Sequence, residues 1–329
     1  MTKKLRLLAV LVLALALTFN AFTALAAAAQ TDYPNTTVEV VYHSSIGSGG
    51  DIMLRSFDLA LANAAAAGKT KHVGWVINNM PGGSGAVSWT YVTQAKPDGY
   101  TLLGISSTIL TSPLMNELDV NYENFTPIAM LLVDPMVVAV PGNSPFNTFE
   151  ELIADAKANP GMQAWAGGVA GELGFVAGLE VQKYFGCQFN LVPFEGGGDA
   201  AASLMGGHLT AAIGEFAELA EGAKSGNLKI IACFNELSVE GFQDVPTMAE
   251  LGQPDINITK IRGLLGPKGM DQAVVDAVVA QIKVMLEEQS FKDYVANNAL
   301  IVDLRTGDDF TAIMVEQTEL LRATLEAAN

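Results

Sequence analysis

Apolar positions along the chain switch repeatedly between two periods. Residues 37–43 gather Val38, Val40 and Val41 into a short β-branched run, which predicts a strand. The run passes into Ser44-Ser45-Ile46-Gly47-Ser48-Gly49-Gly50-Asp51. Leu54, Phe57, Leu61 and Ala65 then recur at helical spacing. The sequence repeats this strand, glycine loop and helix. Residues 73–78 read as a second strand, Pro81-Gly82-Gly83-Ser84-Gly85 as its loop, and the stretch to Gln94 as its helix. After the turn signal Pro97-Asp98-Gly99, residues 101–105 predict a third strand ending in Ser106-Ser107-Thr108.

A second unit begins near Pro135. Residues 136–140 are an apolar strand, and Thr148 with Glu151 form a capping box for the next helix. Further strands are expected at 163–166, 188–193, 211–213 and 228–234. Around Ile261 the chain is expected to return to the first unit. Asp271 starts a helix with Val275, Val278, Val279, Ile282 and Leu286 on one face. The terminal helix carries Phe310, Ile313, Met314, Gln317, Leu320 and Leu321. Such alternation predicts an α/β fold with parallel sheets covered by helices. No flexible linker separates the units, as expected of two lobes joined by crossing strands.

The N-terminus adds a compartment. Lys3, Lys4 and Arg6 precede an apolar run from Leu7 to Leu17 and then small residues ending at Ala29. This order predicts a secretory signal peptide over residues 1–29 and a periplasmic protein. Of 329 residues, 35 are acidic and 18 basic, a net charge of −17, so nucleic acid is not an expected partner. Cys187 and Cys233 leave two readings open, an exported disulfide or two core thiols.

Candidate chemistry concentrates in the glycine loops. Loops at residues 47–51, 167–172 and 196–199 each stand between a strand and a helix. In open α/β sheets ligands sit beyond the carboxyl ends of strands. Glycines expose successive N–H groups, and a helix N-terminus adds roughly half a positive charge. An anion site therefore forms there without a cationic side chain. Phe194 stands at a strand end, placed to wall such a site. Neither a P-loop, nor G-x-G-x-x-G, nor a complete nucleophile elbow is present, and His43, His72 and His208 show no metal or catalytic spacing. No catalytic residue, metal or cofactor is expected.

Several strings in order resemble the substrate-binding proteins of tripartite tricarboxylate transporters, the TctC or Bug family. They are Tyr33-Pro34, Ser48-Gly49-Gly50-Asp51, Asn79-Met80-Pro81-Gly82-Gly83-Ser84-Gly85, Pro97-Asp98-Gly99-Tyr100-Thr101-Leu102-Leu103, Phe125-Thr126-Pro127-Ile128-Ala129, Asn159-Pro160-Gly161, Val192-Pro193-Phe194-Glu195-Gly196 and Asp244-Val245-Pro246-Thr247. The resemblance implies a periplasmic binding protein-like II fold with two lobes, a central ligand cleft and crossing hinge strands. One lobe would comprise residues 30–133 with 262–329, the other 134–261. It implies a small carboxylate ligand and, as partners, the large and small membrane subunits of a secondary transporter. The protein is expected to work as a monomer.

Carried over by position, Ile46, Gly47, Ser48, Gly49, Gly50 and Asp51 form the first-lobe clamp. Gly167, Gly168, Gly171 and Glu172, together with Phe194, Gly196 and Gly197, form the second. Ser106 and Ser107 act as side-chain donors. The chain departs from the pattern in two places. Ser48 replaces a proline, with Asp51 brought closer. Phe194-Glu195-Gly196 replaces Tyr-Lys-Gly, which removes a hydroxyl and reverses a charge. A ligand with one carboxylate is therefore expected, rather than a citrate-like trianion. Two other functions compete: a ligand-presenting sensory subunit, and a periplasmic hydrolase using Ser48 or Ser84.

Overall fold

The computed structural model of the chain describes residues 32–168, 172–194, 197–256 and 258–328. The expected leader, Gly171 and Gly196 lie outside these. Eleven strands form two sheets among the described residues. The first sheet has β1 (Val38–Tyr42), β2 (Trp75–Asn79), β3 (Thr101–Ser106), β4 (Phe125–Asp134), β10 (Lys260–Pro267) and β11 (Ile301–Thr306), in the order β11-β4-β10-β3-β1-β2. The second has β5 (Met136–Pro141), β6 (Ala164–Ala166), β7 (Asn190–Val192), β8 (Ala211–Glu215) and β9 (Leu228–Cys233), in the order β7-β6-β8-β5-β9.

The sheets are mixed, which corrects the all-parallel expectation. β1 pairs in parallel with β2 and β3, and β6 with β7 and β8. By contrast, β10 runs antiparallel to both β3 and β4, and β5 antiparallel to β8 and β9. The antiparallel strands are those next to the crossings: β4 leads out of the first sheet, β5 opens the second, and β10 brings the chain back. Only Pro135 separates β4 from β5. This short link is what makes a separate flexible linker unnecessary.

Local signals explain the helices that frame the strand ends. Helix α1 (Gly49–Ala66) starts at Ser48, the N-cap, and buries Met53, Leu54, Phe57, Ala60, Leu61 and Ala64 on one stripe. Helices α2 (Ala86–Thr93) and α3 (Thr108–Asn116) follow β2 and β3. Helix α4 (Phe149–Ala158) has the reciprocal Thr148–Glu151 capping box. Helices α5 (Leu173–Phe185), α6 (Gly197–Met205) and α7 (Phe216–Lys224) serve the second sheet. Asp271 caps α8 (Gln272–Leu286), its carboxylate accepting from the Ala273 N–H at 2.8 Å. Helices α9 (Gln289–Asn297) and α10 (Gly307–Ala328) complete the chain.

One core cluster runs through both units. It joins Val41, Trp89 and Leu103 of the first to Trp165, Val176 and Ile213 of the second, with Phe310, Met314 and Leu321 of α10 among them. Helix α10 thus packs against β4 and α3 on one side and against α5 on the other. The Thr324 hydroxyl donates to the carboxylate of Glu180, a fully buried residue of α5. Cys187 and Cys233 are free and buried, so the core-thiol reading holds. Burial pushes their thiols up to about 11 and about 12 respectively, which keeps both neutral. Among the described residues no helix is long and apolar enough to cross a membrane.

Candidate ligand cleft

The carboxyl ends of β1, β3 and β6 open onto one cavity of about 420 Å³ between the two sheets. This volume falls within the range of small-molecule pockets. Gly47, Ser48, Gly49 and Gly50 line it from the first unit. The first N–H groups of α1 have no intrahelical acceptor and carry the positive end of the helix dipole. Gly167, Gly168, Glu172, Phe194 and Gly197 line the cavity from the second unit, and Gly197 opens α6. The first-unit and second-unit loops therefore face the same space.

Four sequence-predicted residues differ from the expectation in place or in role. Ile46 is 77% exposed and does not line the cavity. Asp51 is buried beneath the loop. Its Oδ2 accepts from the Gly47 N–H at 2.9 Å and from Arg55 Nε at 3.1 Å. These bonds hold its carboxyl below the usual range even though burial acts the other way. Asp51 thus shapes the loop and consumes one of its N–H groups. Ser106 and Ser107 both line the cavity, but their hydroxyls are engaged. Ser106 Oγ lies 3.0 Å from Thr108 Oγ1 and shares a hydrogen bond with Tyr42. Ser107 Oγ accepts from the Ile261 N–H at 2.8 Å and donates to the Thr259 carbonyl at 3.2 Å. It pins the returning strand to the end of β3, and its single proton is already spent.

The back wall overturns the expectation of a site without cationic side chains. Lys260 and Arg262, two residues apart on β10, both reach the cavity. Arg262 pairs opposite Ser106 and donates through Nε to Asp134 Oδ2 at 3.0 Å, with a second, shorter bond from Nη2. Burial alone would lower the Arg262 pKa, but the Asp134 charge outweighs it and the shift is upward. A guanidinium has five N–H donors, so this pair leaves others for the cleft. Lys260 forms an ion pair with Glu215. Its pKa is nevertheless lowered to about 8, first by burial and then by the like charge of Arg262.

Two further groups in the wall were not among the residues expected to bind: His43, read from the sequence only as lacking metal or catalytic spacing, and Glu218. His43 directly follows β1, its ring 4.5 Å from that of Tyr42 and 6.1 Å from that of Trp89. Burial, then Lys260 and Arg262, push its pKa down to about 4, so the imidazole is neutral at ordinary pH. Its buried Nδ1 has no hydrogen-bond partner among the described residues. Glu218, on α7, also faces the cavity. Surrounding protein, together with Asp134, raises its carboxyl to about 7, although Arg262 pulls the other way.

The glycines also serve a purpose different from the expected one. A Cβ on Gly49 would lie 3.2 Å from Arg262 Nη2, and one on Gly50 only 2.0 Å from the Tyr42 hydroxyl. On Gly168 it would lie 2.3 Å from Glu172 Oε2, and on Gly197 1.7 Å from Glu218 Oε2. At these loops the missing side chains make room for the protein's own polar and charged groups.

Two α/β lobes with their strand ends and helix N-termini facing a shared cavity define a two-lobed solute-binding protein. A family model described as "Tripartite tricarboxylate transporter family receptor" matches residues 61–329, and the chain belongs to that family. This is a family of solute-binding receptors, not of enzymes. Protein BugT of Bordetella pertussis is 26% identical over 306 residues, covering 92% of each chain. A TctC solute-binding protein from Polaromonas, solved without ligand, superposes with a TM-score of 0.74 at 31% identity, covering 90% of this chain and 99% of that one. MatC from Rhodopseudomonas palustris, solved with bound malate, shares the fold with a TM-score of 0.73 at 21% identity, covering 89% and 99%.

Proposed function

We propose that this chain is a periplasmic receptor that captures a small carboxylate and delivers it to the large and small membrane subunits of a tripartite tricarboxylate-type transporter. On this reading the leader over residues 1–29 exports it. Residues 30–133 with 262–329, and residues 134–261, act as the two closing lobes. The carrying observation is the convergence of the α1 N-terminus with the guanidinium of Arg262 on one cavity. A carboxylate there meets main-chain N–H groups, a helix dipole and a fixed cation together. Malate bound in the Rhodopseudomonas relative agrees with an acid as ligand.

Capture needs no covalent step. A ligand that touches both lobes has more contacts in the closed form, and this difference in affinity shifts the population toward closure. The strands β4 and β10 are the covalent crossings about which the lobes would turn. Titration calorimetry with mono-, di- and tricarboxylates tests the proposal. Saturable binding of a small carboxylate with one site per chain is expected. Failure of all three classes to bind would overturn the reading, and tightest binding by citrate would overturn the expectation, drawn from Phe194-Glu195-Gly196, of a ligand with one carboxylate.

A further inference from the structure

The two halves of the cleft differ in sign. In the first, the clamp glycine Gly49 faces a guanidinium. In the second, Gly197 faces a carboxylate: the distance from its ideal Cβ to Glu218 Oε2 places that oxygen against the first turn of α6. The same oxygen would lie 3.8 Å from a Cβ on Gly214, so Glu218 sits between two glycine backbones. Here a second carboxylate of a dicarboxylic ligand would otherwise meet exposed N–H groups. The position is already occupied by an acid of the protein.

Charges around it leave Glu218 as surplus. Arg262 ion-pairs with Asp134 at the end of β4, and Lys260 with Glu215 at the end of β8, and neither forms an ion pair with Glu218. Glu218 makes no hydrogen bond or ion pair among the described residues, and its side chain is open to the cleft. An acid so placed repels an incoming anion and attracts an ammonium or a strong hydrogen-bond donor.

We propose that Glu218 sets the polarity of the ligand: the cleft takes an ammonium-bearing monocarboxylate, with its carboxylate against α1 and Arg262 and its amine against Glu218. This rests on the carboxylate-receptor reading above and narrows it to zwitterions. The amine does not fit the first lobe, where the helix dipole and Arg262 both oppose a cation.

Ionisation of Glu218 gives the pairing a pH signature. The titratable and charged groups around the cavity it faces are Tyr42 and His43 at the end of β1, Glu172 before α5, Glu215 of β8, and Lys260 and Arg262 of β10, with the charge of Asp134 of β4 also acting on it. Its carboxyl ionises around 7, so the preference for an amine grows as pH rises through that value. Lys260 loses charge at about 8, which weakens the hold on every carboxylate alike. The informative readout is therefore the ratio of affinities for an amino acid and the matching monocarboxylate.

Calorimetric titration of the purified protein with linear ω-amino acids, the monocarboxylates lacking the amine and the dicarboxylates of equal length tests this. The best amino acid should bind at least about ten-fold more tightly than its matched monocarboxylate and its matched dicarboxylate. The ratio should rise from about pH 6 to about pH 8. Glu218→Gln should reduce it at least about ten-fold, with an unaltered circular dichroism spectrum. A dicarboxylate that binds tightest, a ratio that falls with pH, or a ratio unchanged in Glu218→Gln overturns the inference while leaving a carboxylate receptor in place. No binding by any of the three series overturns both.

Discussion

The two clamps use the same local device, glycines at the start of a helix, and set it to opposite ends. In the first lobe the glycines seat Tyr42 and Arg262, both held from behind: Tyr42 is a buried residue of β1, and Arg262 is fixed by Asp134. In the second lobe Gly168 and Gly197 seat the tips of Glu172, which precedes α5, and Glu218 of α7, both bordering the cleft. One clamp is a rigid cationic wall and the other an acidic surface. A strand-end glycine loop is therefore not by itself an anion site. On the proposed reading, the side chain that the missing Cβ admits decides which charge the loop accepts.

Removing the cation should have the largest effect. Arg262→Met strands Asp134, which is 1% exposed, without its partner. Breaking such a buried pair costs about 3–5 kcal/mol, which denaturant unfolding would measure, and carboxylate binding should vanish with it. The same small substitution then contrasts the two clamps. Gly50→Ala drives a methyl into the Tyr42 ring inside the core and should cost about 1–3 kcal/mol. Gly197→Ala meets only the flexible end of Glu218, which can swing into the cleft. Its effect on stability should stay within about 0.5 kcal/mol, while the preference for an amine erodes. Equal losses in the two variants would erase the distinction between a rigid and a yielding clamp.

Glu218→Gln should show a small change in the free protein, visible only through its pH dependence. The Glu218 carboxyl is raised from its ordinary 4.5 to about 7, so the folded state binds the proton more tightly than the unfolded chain does. The stability this supplies is full below 4.5 and lost as pH rises through 7. The glutamine variant escapes that loss. It should match the wild type in acid and exceed it above pH 7 by about 1 kcal/mol at most, since the side chain is open to water. Thermal melts of both proteins across this range would check it, and a gain confined to acid would contradict it.

Much of the frame was legible because its signals are local. The apolar stripe on α1 and the Thr148–Glu151 box each lie within a few residues, and each marks a real helix. Strand β4 was hidden for a physical reason. It is buried along nearly its whole length on both faces, so no alternation of polar and apolar positions marks it, and Pro127 near its start reads as a breaker. The cationic wall did leave a trace. Lys260 and Arg262 stand two apart in an otherwise apolar stretch, which puts both on one face of a strand. What they face depends on the antiparallel return of β10, a long-range fact. Glu218 left no trace at all, because its meeting with Gly197 joins two helices through the fold.

The polarity of the cleft is tested most directly by a crystal structure of the protein with a bound amino acid identified by titration. The carboxylate should lie within hydrogen-bond distance of the α1 N-terminus or Arg262, with the amine on Glu218. A carboxylate seated instead on the Gly197–Gly198 turn of α6, with Glu218 displaced, would contradict the account.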